Sequence, residues 1–239
     1  MTAVADKDTA RPAPRRRSLL RRAWSLAWKV VLVLVLLPLV LVPVYRVVPP
    51  VSTLMVWDFA TGQGVDRRWV ALDDVAPSLV AAVLMSEDGR FCTHRGVDWE
   101  EMAKVIEESD DRPRGASTIT MQTVKNLFLW QSRSYVRKAL EIPLALYADF
   151  IWGKPRTMEL YLNVADWGPG IFGAEAAAQH YFGKPAADLT LQQSALLAAA
   201  LPNPELRDPG APTRNLNRIA NRVAARAQQA GDYVGCLAP

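Results

Sequence analysis

The sequence has few of the side chains that metal centres, disulfide frameworks and common nucleophile sites require. Its 239 residues include only two cysteines and two histidines, too few for a disulfide framework or for a zinc site with the usual number of ligands. It also lacks a Walker loop and a G-x-S-x-G elbow, which excludes two widespread catalytic motifs. Carboxylates, cations and loop glycines are therefore the groups left to carry a reaction.

The net positive charge of the protein comes from the N-terminal end of the chain. There are 28 Lys+Arg against 24 Asp+Glu, and the pI near 9.2 is typical of proteins that bind polyanions. Residues 1–29, however, hold eight of the basic residues and two of the acidic ones, so residues 30–239 are slightly acidic. We therefore expect no nucleic-acid partner.

An apolar run follows the basic tail. Residues 30–44 consist of valine, leucine and proline, and residues 24–48 are long enough to cross about 30 Å of bilayer hydrocarbon. A cleaved signal peptide is the alternative, but no small-residue cleavage pattern follows. The sequence predicts a basic cytoplasmic tail over 1–23 and a transmembrane helix over 24–48, with the rest of the chain outside the cytoplasm by the positive-inside rule.

The remaining chain predicts a mainly α-helical domain. Residues 49–74 suggest a stalk or a short extended segment, and residues 75–239 form the predicted domain, in which half-apolar composition supports a packed core. Pro143 should bend the helix that contains it. Helical patterns begin after Pro77 and at Asp98, cover 117–130, 134–151, 154–165 and 173–182, and begin again after Thr190.

The densest polar cluster, residues 86–96, comes directly after an apolar helical face. Glu87 would therefore lie at the end of a helix, where the helix dipole disfavours a carboxylate. Apolar neighbours would raise its pKa toward that of a working general acid or base. A solvated turn is the alternative interpretation of the Glu-Asp-Gly sequence.

Two later clusters combine cations with polar side chains. In residues 114–126, Gly-x-Ser-Thr at the head of a helix offers backbone N–H groups and hydroxyls to an anion, and Gln122 and Lys125 share a face. Arg133 and the segment Arg137-Lys-x-x-Glu141 follow. They indicate either an exposed helix with surface ion pairs or a cationic lining for phosphates.

In this order, the clusters resemble the peptidoglycan glycosyltransferase family, and most closely its monofunctional, membrane-anchored biosynthetic members. The resemblance covers about residues 75–205, and Met121 departs from it because the family usually has a glutamine there. The matching strings are Glu87-Asp-x-x-Phe91-x-x-His94-x-Gly96, Gly115-x-Ser-Thr-Ile-Thr-x-Gln122-x-x-Lys125-Asn126, Arg137-Lys-x-x-Glu141, and Lys154 through Tyr161-Leu-Asn163 with Tyr181-Phe-Gly-Lys184.

The resemblance implies a lysozyme-like domain that elongates glycan strands from lipid II by inverting glycosyl transfer and releases undecaprenyl pyrophosphate. It implies that Glu87 is the general base and that Glu141 is the second catalytic carboxylate. Six further residues match substrate-binding positions: Ser117, Gln122, Lys125, Asn126, Arg133 and Arg137. Six others match supporting positions: Asp88, Phe91, His94, Gly96, Gly115 and Asn163.

Cofactors, partners and location are also implied. We expect no tightly bound cofactor, although a divalent cation such as Mg²⁺ is a candidate at the pyrophosphate. The expected partners are lipid II, the nascent glycan strand, the membrane and other cell-wall synthesis or division proteins. The implied location is the cell inner (cytoplasmic) membrane, with a single pass, a cytoplasmic N-terminus and a periplasmic catalytic domain.

Several alternatives stay open. A lytic enzyme on a lysozyme-like scaffold would need no cations for a pyrophosphate, so Lys125 and Arg133 argue against it. A catalytically weak scaffold that binds lipid II is kept open by Met121. The apolar stretch 126–130 is either core packing or a lip that enters the membrane, and the sequence does not show whether Cys92 and Cys236 pair.

Overall fold

The computed structural model describes residues 16–107, 116–132 and 134–237 of the chain. The chain divides into two compact units, residues 1–40 and residues 41–239. Helix α1 (Arg16–Tyr45) begins in the first unit and ends in the second. Its segment Arg21–Tyr45 is long and apolar enough to cross a membrane, which agrees with the predicted span over 24–48.

The described part of the chain is 67% helical, so the prediction of a mainly α fold is confirmed. Three short strands, β1 (Asp66–Arg67), β2 (Asp166–Gly168) and β3 (Ile171–Phe172), form a sheet in the order β1-β3-β2, parallel and then antiparallel. The helices of the second unit are α2 (Thr53–Thr61), α3 (Pro77–Glu87), α4 (Trp99–Glu107), α5 (Ile119–Phe128), α6 (Tyr135–Val164), α7 (Ala174–Phe182), α8 (Leu191–Ala200) and α9 (Arg214–Gln228).

Helix α3 lies in the centre of the second unit. Its residues are apolar on nearly every side, and Leu79, Val83 and Leu84 are fully buried, as expected of a helix surrounded by protein. It packs against α8 and α9 and begins with Pro77 in its first turn, where proline costs no hydrogen bond. The helix ends at Glu87, so the core element itself carries this carboxylate to its C-terminal end.

Helix α6 packs along α5 and is broken once. Gly153 has φ 69° and ψ 174°, a conformation favoured by glycine, and it is the only residue inside α6 with non-helical dihedrals. The break explains why the sequence predicted two helices here. Pro143 keeps helical dihedrals, so the chain stays helical there and the break lies at Gly153. The bend expected at Pro143 stays a prediction.

The C-terminal end of α1 is held by side chains of α6. Trp152 Nε1 donates to the Val42 carbonyl at 2.7 Å, and Arg156 donates to the carbonyls of Tyr45 at 2.9–3.0 Å and Val48 at 3.2 Å. The last carbonyls of a helix have no partner within it. These two side chains supply the missing donors and fasten residues 41–48 to the helical unit.

Two segments differ from the sequence prediction. Residues 49–74 were predicted as a stalk or an extended segment, but most of their first half is helix α2, capped by Ser52 and ended by Gly62 at φ 78°. Met55 and Asp58 of α2 are buried, so this segment packs into the unit. Helix α9 was also missed, although Leu216, Ala220 and Val223 repeat at a helical spacing and are buried.

The glycines at positions 168, 170 and 173, in and around strands β2 and β3, match the G-x-G-x-x-G spacing of dinucleotide-binding loops. Here the first glycine ends β2 and the second lies in the turn of an antiparallel hairpin. A dinucleotide site requires instead a βαβ unit with this loop between its first strand and helix. The hairpin therefore does not predict such a site.

A disulfide joins Cys92 to Cys236, with the two Cα atoms 5.5 Å apart and a sequence separation of 144. Cys92 lies in the loop that follows α3, and Cys236 lies in a short 3₁₀ segment at Gly231–Leu237. The bond fastens the end of the chain to the loop beside Glu87. It also answers the question of pairing that the sequence left open.

Replacing both cysteines by serine should lower stability, because a disulfide that closes a long loop restricts the unfolded chain. We expect a loss of about 2–4 kcal/mol, seen as a melting temperature about 5–15 °C lower in detergent. The wild-type protein should show the same shift when a reductant is added, whereas the double variant should not respond. An equal response of both proteins to the reductant would contradict the assigned bond.

Candidate active site

Glu87 stands at the C-terminal end of α3 and is partly open to a cleft. Its Oε2 accepts a hydrogen bond from Gln122 Nε2 at 3.0 Å, which joins α3 to α5. Burial raises the pKa of Glu87, and this effect outweighs the hydrogen bonds from Gln122 and Ser86 and the charges of Lys125 and Arg207. The structure therefore gives Glu87 the raised pKa that its apolar sequence neighbours predicted.

Asp88 clamps the loop after α3 to the first turn of α5. Its carboxylate lies 3.0 Å from His94 Nε2, and it accepts a hydrogen bond from the Ile119 N–H at 2.9 Å. Thr118 caps the same helix by accepting from Met121 N–H at 3.1 Å. The sequence suggested N–H groups free for an anion at the head of this helix, but those of Ile119 and Met121 are satisfied within the protein.

Three predicted supporting residues, Phe91, Gly96 and Asn163, are each fixed by a contact that involves α6. Phe91 is fully buried, with the Lys154 ammonium 4.5 Å from its ring centroid. Gly96 has φ 73°, and a Cβ there would lie 2.6 Å from the Ala145 carbonyl oxygen, so only glycine fits. Asn163 exchanges hydrogen bonds with the backbone of Val70 at 2.8 and 2.9 Å, which attaches the segment before α3 to α6.

Glu141 lies at the centre of a group of cations. It is 2% exposed and forms ion pairs with Arg137 and, at 3.5 Å, with Lys138. Lys138 also donates to Ser117 Oγ at 2.6 Å. With an ion pair on each oxygen, Glu141 fixes the positions of two cations of α6.

Lys125 connects the two carboxylates electrostatically. Burial lowers its pKa, as does the nearby charge of Arg137, while Glu141 and Glu87 act in the opposite direction. Asn126, the next residue, accepts a hydrogen bond from Gln131 on its side-chain oxygen at 3.4 Å. Of the other predicted site residues, Gly115 and Arg133 lie outside the described residues.

Two pockets meet at the hydrogen-bonded pair of Glu87 and Gln122. The first, of about 480 Å³, is lined by Glu87 together with Ser117 and Thr118 from the start of α5. The second, of about 210 Å³, is lined by Gln122 together with Lys125, Asn126, Tyr161 and Asp166. The Glu87 carboxylate therefore lines the first pocket, and its hydrogen-bond partner Gln122 lines the second.

The residues present do not fit a metal ion held by protein ligands alone. Within residues 16–107, 116–132 and 134–237, no group of three His, Cys, Asp or Glu side chains is placed to hold one. Glu141, the second carboxylate implied by the resemblance, is already neutralised by Arg137 and Lys138.

Asp166 is a cleft residue that the sequence analysis missed. It begins β2, and its Oδ1 accepts from the Gly168 N–H at 2.9 Å. Burial is the main reason that its pKa rises to about 6. Its position follows from the hairpin, and the only sequence signal was an acidic residue directly after the apolar end of a helix.

Comparison with known proteins identifies the family to which the chain belongs. The transglycosylase family model matches residues 55–229, which include α2 and all of the cleft elements described above. The chain belongs to the transglycosylase family.

Curated relatives share most of the chain. A biosynthetic peptidoglycan transglycosylase from Brucella suis biovar 1 (strain 1330) is 57% identical over 217 residues, 89% of this chain and 97% of the relative. Proteins with the same name from Agrobacterium fabrum (strain C58 / ATCC 33970) and Rhizobium meliloti (strain 1021) are 57% and 53% identical, covering 86% and 91% of this chain and 93% and 95% of their own lengths.

Replacing Asp166 by Asn should stabilise the protein near neutral pH. Because the folded state raises the pKa of Asp166 to about 6, it binds the proton more tightly than the unfolded chain does. Stability therefore falls as the pH rises from about 4 to 6, by roughly 2–3 kcal/mol in total. We expect Asp166→Asn to melt about 5 °C above wild type at pH 7.5, with little difference at pH 4.

The control is Asp74→Asn, which changes an exposed carboxylate in the 3₁₀ turn before α3. Its melting temperature should follow wild type at both pH values. A pH-independent shift in Asp166→Asn would argue against ionisation of Asp166 as the cause.

Proposed function

We propose that this protein polymerises peptidoglycan glycan strands from lipid II by inverting glycosyl transfer and releases undecaprenyl pyrophosphate. The observation that carries the proposal is Glu87, a carboxylate of raised pKa that lines one pocket and is hydrogen-bonded to Gln122 of a second pocket, which Lys125 also lines. Membership of the transglycosylase family and the names of the relatives support the same function. The proposed donor is the growing strand, and the acceptor is the incoming lipid II.

In the proposed step, Glu87 takes the proton of the acceptor sugar's 4-hydroxyl while that oxygen attacks the anomeric carbon of the donor. A new C–O bond forms, the bond to the pyrophosphate breaks, and its electron pair leaves with the pyrophosphate. The α-linked donor becomes a β-1,4 linkage without a covalent enzyme intermediate. The raised pKa makes Glu87 a stronger base than an exposed glutamate.

The cations stabilise the leaving group in this proposal. A departing pyrophosphate gathers negative charge in the transition state, and cations held in place stabilise it without further rearrangement. Lys125 is half-buried in the cleft wall, and Arg137 and Lys138 are held by Glu141. Glu141 thus acts by positioning cations, and any Mg²⁺ would be bound mainly by the pyrophosphate itself.

Location and orientation are part of the proposal. The apolar helix of residues 21–45 supports a single membrane anchor, and the basic tail before it supports a cytoplasmic N-terminus. The disulfide between Cys92 and Cys236 supports a catalytic unit on the oxidising, periplasmic side of the inner membrane. Other cell-wall synthesis or division proteins remain proposed partners.

The function is tested by incubating the purified full-length protein with labelled lipid II and a divalent cation. We expect polymer from wild type and a loss of at least about 100-fold in Glu87→Gln, because a general base contributes about 10²–10⁴-fold to the rate. The control Glu107→Gln changes an exposed glutamate of α4 and should polymerise normally. Release of fragments from pre-made glycan would favour a lytic enzyme, and binding of lipid II without polymer would favour a scaffold.

The side chains of residues 126–130, the proposed membrane-contacting stretch, differ in their exposure to solvent. Phe128 stacks on Tyr45 at the end of α1, with ring centroids 5.8 Å apart, and is partly buried there. Trp130 is 45% exposed and is the residue of this stretch that could enter a bilayer. The proposed contact with the membrane therefore depends on Trp130.

Replacing Trp130 by Ser should weaken the binding of residues 41–239 to liposomes, because an interfacial tryptophan would be lost. We expect a severalfold lower bound fraction in a sedimentation assay. The control Trp99→Ser removes a tryptophan that is 55% exposed and is followed by two glutamates in α4. Equal binding of Trp130→Ser and wild type to the liposomes would contradict the hypothesis that residues 126–130 contact the membrane.

A further inference from the structure

Tyr161 is a buried tyrosine with a polar end directed toward the catalytic carboxylate. It lies in the second half of α6, is 1% exposed, and donates from its hydroxyl to Gln122 Oε1 at 3.3 Å. Gln122 in turn donates from Nε2 to Glu87 Oε2 at 3.0 Å. A continuous chain of hydrogen bonds therefore runs from Tyr161 through one amide to Glu87.

The amide in the middle has two ends of opposite character. A glutamine side chain presents an acceptor oxygen and a donor NH₂ group. An ionised Glu87 can only accept, so it requires the NH₂ end of Gln122, and the reversed amide would place two oxygens against each other. Glu87 therefore selects this orientation of the amide. The Tyr161 hydroxyl donates to the Gln122 Oε1 that it leaves at the other end and restrains the amide against movement away from the carboxylate.

We propose that Tyr161 is a positioning residue for Glu87: its hydroxyl holds the Gln122 amide with NH₂ toward the carboxylate. The inference rests on the proposed role of Glu87 as general base. Tyr161 touches neither reacting atom in this proposal, and its effect passes through Gln122.

The surroundings of Tyr161 suit it to this task. Burial raises its pKa well above the usual value, and the charges of Glu87 and Asp88 raise it further. The hydroxyl therefore keeps its proton, and remains a donor, at any pH at which the protein works. Within the described residues the Tyr161 hydroxyl forms this one hydrogen bond, so the interaction with Gln122 is its specific polar contact.

The experiment measures kcat and KM for polymerisation of labelled lipid II by full-length Tyr161→Phe between pH 5 and 9. We expect kcat to fall about 3- to 10-fold, with KM within twofold of wild type, because one neutral hydrogen bond is lost. The hydrogen bond from Gln122 lowers the pKa of Glu87. A less firmly held amide should therefore move the acid limb of the profile to higher pH.

Two further variants separate positioning from packing. Gln122→Ala should lose more activity, and adding Tyr161→Phe to it should change the rate less than twofold, because the amide through which Tyr161 acts is gone. The matched control is Tyr181→Phe, which loses a hydrogen bond to the Trp167 carbonyl of 2.8 Å outside this chain. Its acid limb should coincide with that of wild type.

The proposal is overturned if Tyr161→Phe keeps the wild-type pH profile. It is also overturned if Tyr161→Phe lowers kcat by the same factor in the Gln122→Ala protein as in wild type. Melting curves establish that each variant is folded. If the Phe variant does not fold, Tyr161→Met is used, because methionine adapts to irregular core space and also lacks the hydroxyl. A wild-type protein that makes no polymer would contradict the proposed function itself, whereas the outcomes above concern Tyr161 alone.

Discussion

The cleft is organised around one energetically unfavourable group, the carboxylate of Glu87, which lies at the C-terminal end of a helix that is buried on nearly every side. Helix α3 supplies core packing through Leu79, Val83 and Leu84, and the same helix ends at Glu87. Both the helix dipole and burial disfavour the ionised form there. The amide of Gln122 and the charge of Lys125 partly stabilise the ionised form. The pKa of Glu87 stays raised, and the proposed reaction uses the resulting basicity.

Three helices contribute to the site, and each is attached to another by a polar contact rather than by apolar packing alone. Asp88, just after α3, binds the first N–H of α5. Lys138 of α6 binds Ser117 just before α5, and Gln122 of α5 binds Glu87. Buried polar contacts have strict geometry, because an unpaired group costs more than the bond gains. They therefore fix distances in the cleft that apolar side chains could fill in several ways.

Sequence patterns predicted the elements whose signals are local. The apolar face after Pro77, the helical pattern over 117–130 and the capping residue Thr190 lead to helices that the structure contains. The pattern missed α2 and α9, although α9 has a regular apolar repeat. Pairings across long separations could not be predicted, because Asp88 meets Ile119 and Cys92 meets Cys236 only after the chain has folded. Asp166 was missed for the same reason.

The disulfide between Cys92 and Cys236 closes a covalent ring. Gln122, Lys125, Glu141 and Tyr161 all lie inside this ring, whereas Glu87 lies on the N-terminal segment that leads into it. A single cut anywhere between the two cysteines would open the ring without releasing a fragment. The cations, the amide and the anchored carboxylate would then remain parts of one covalent molecule.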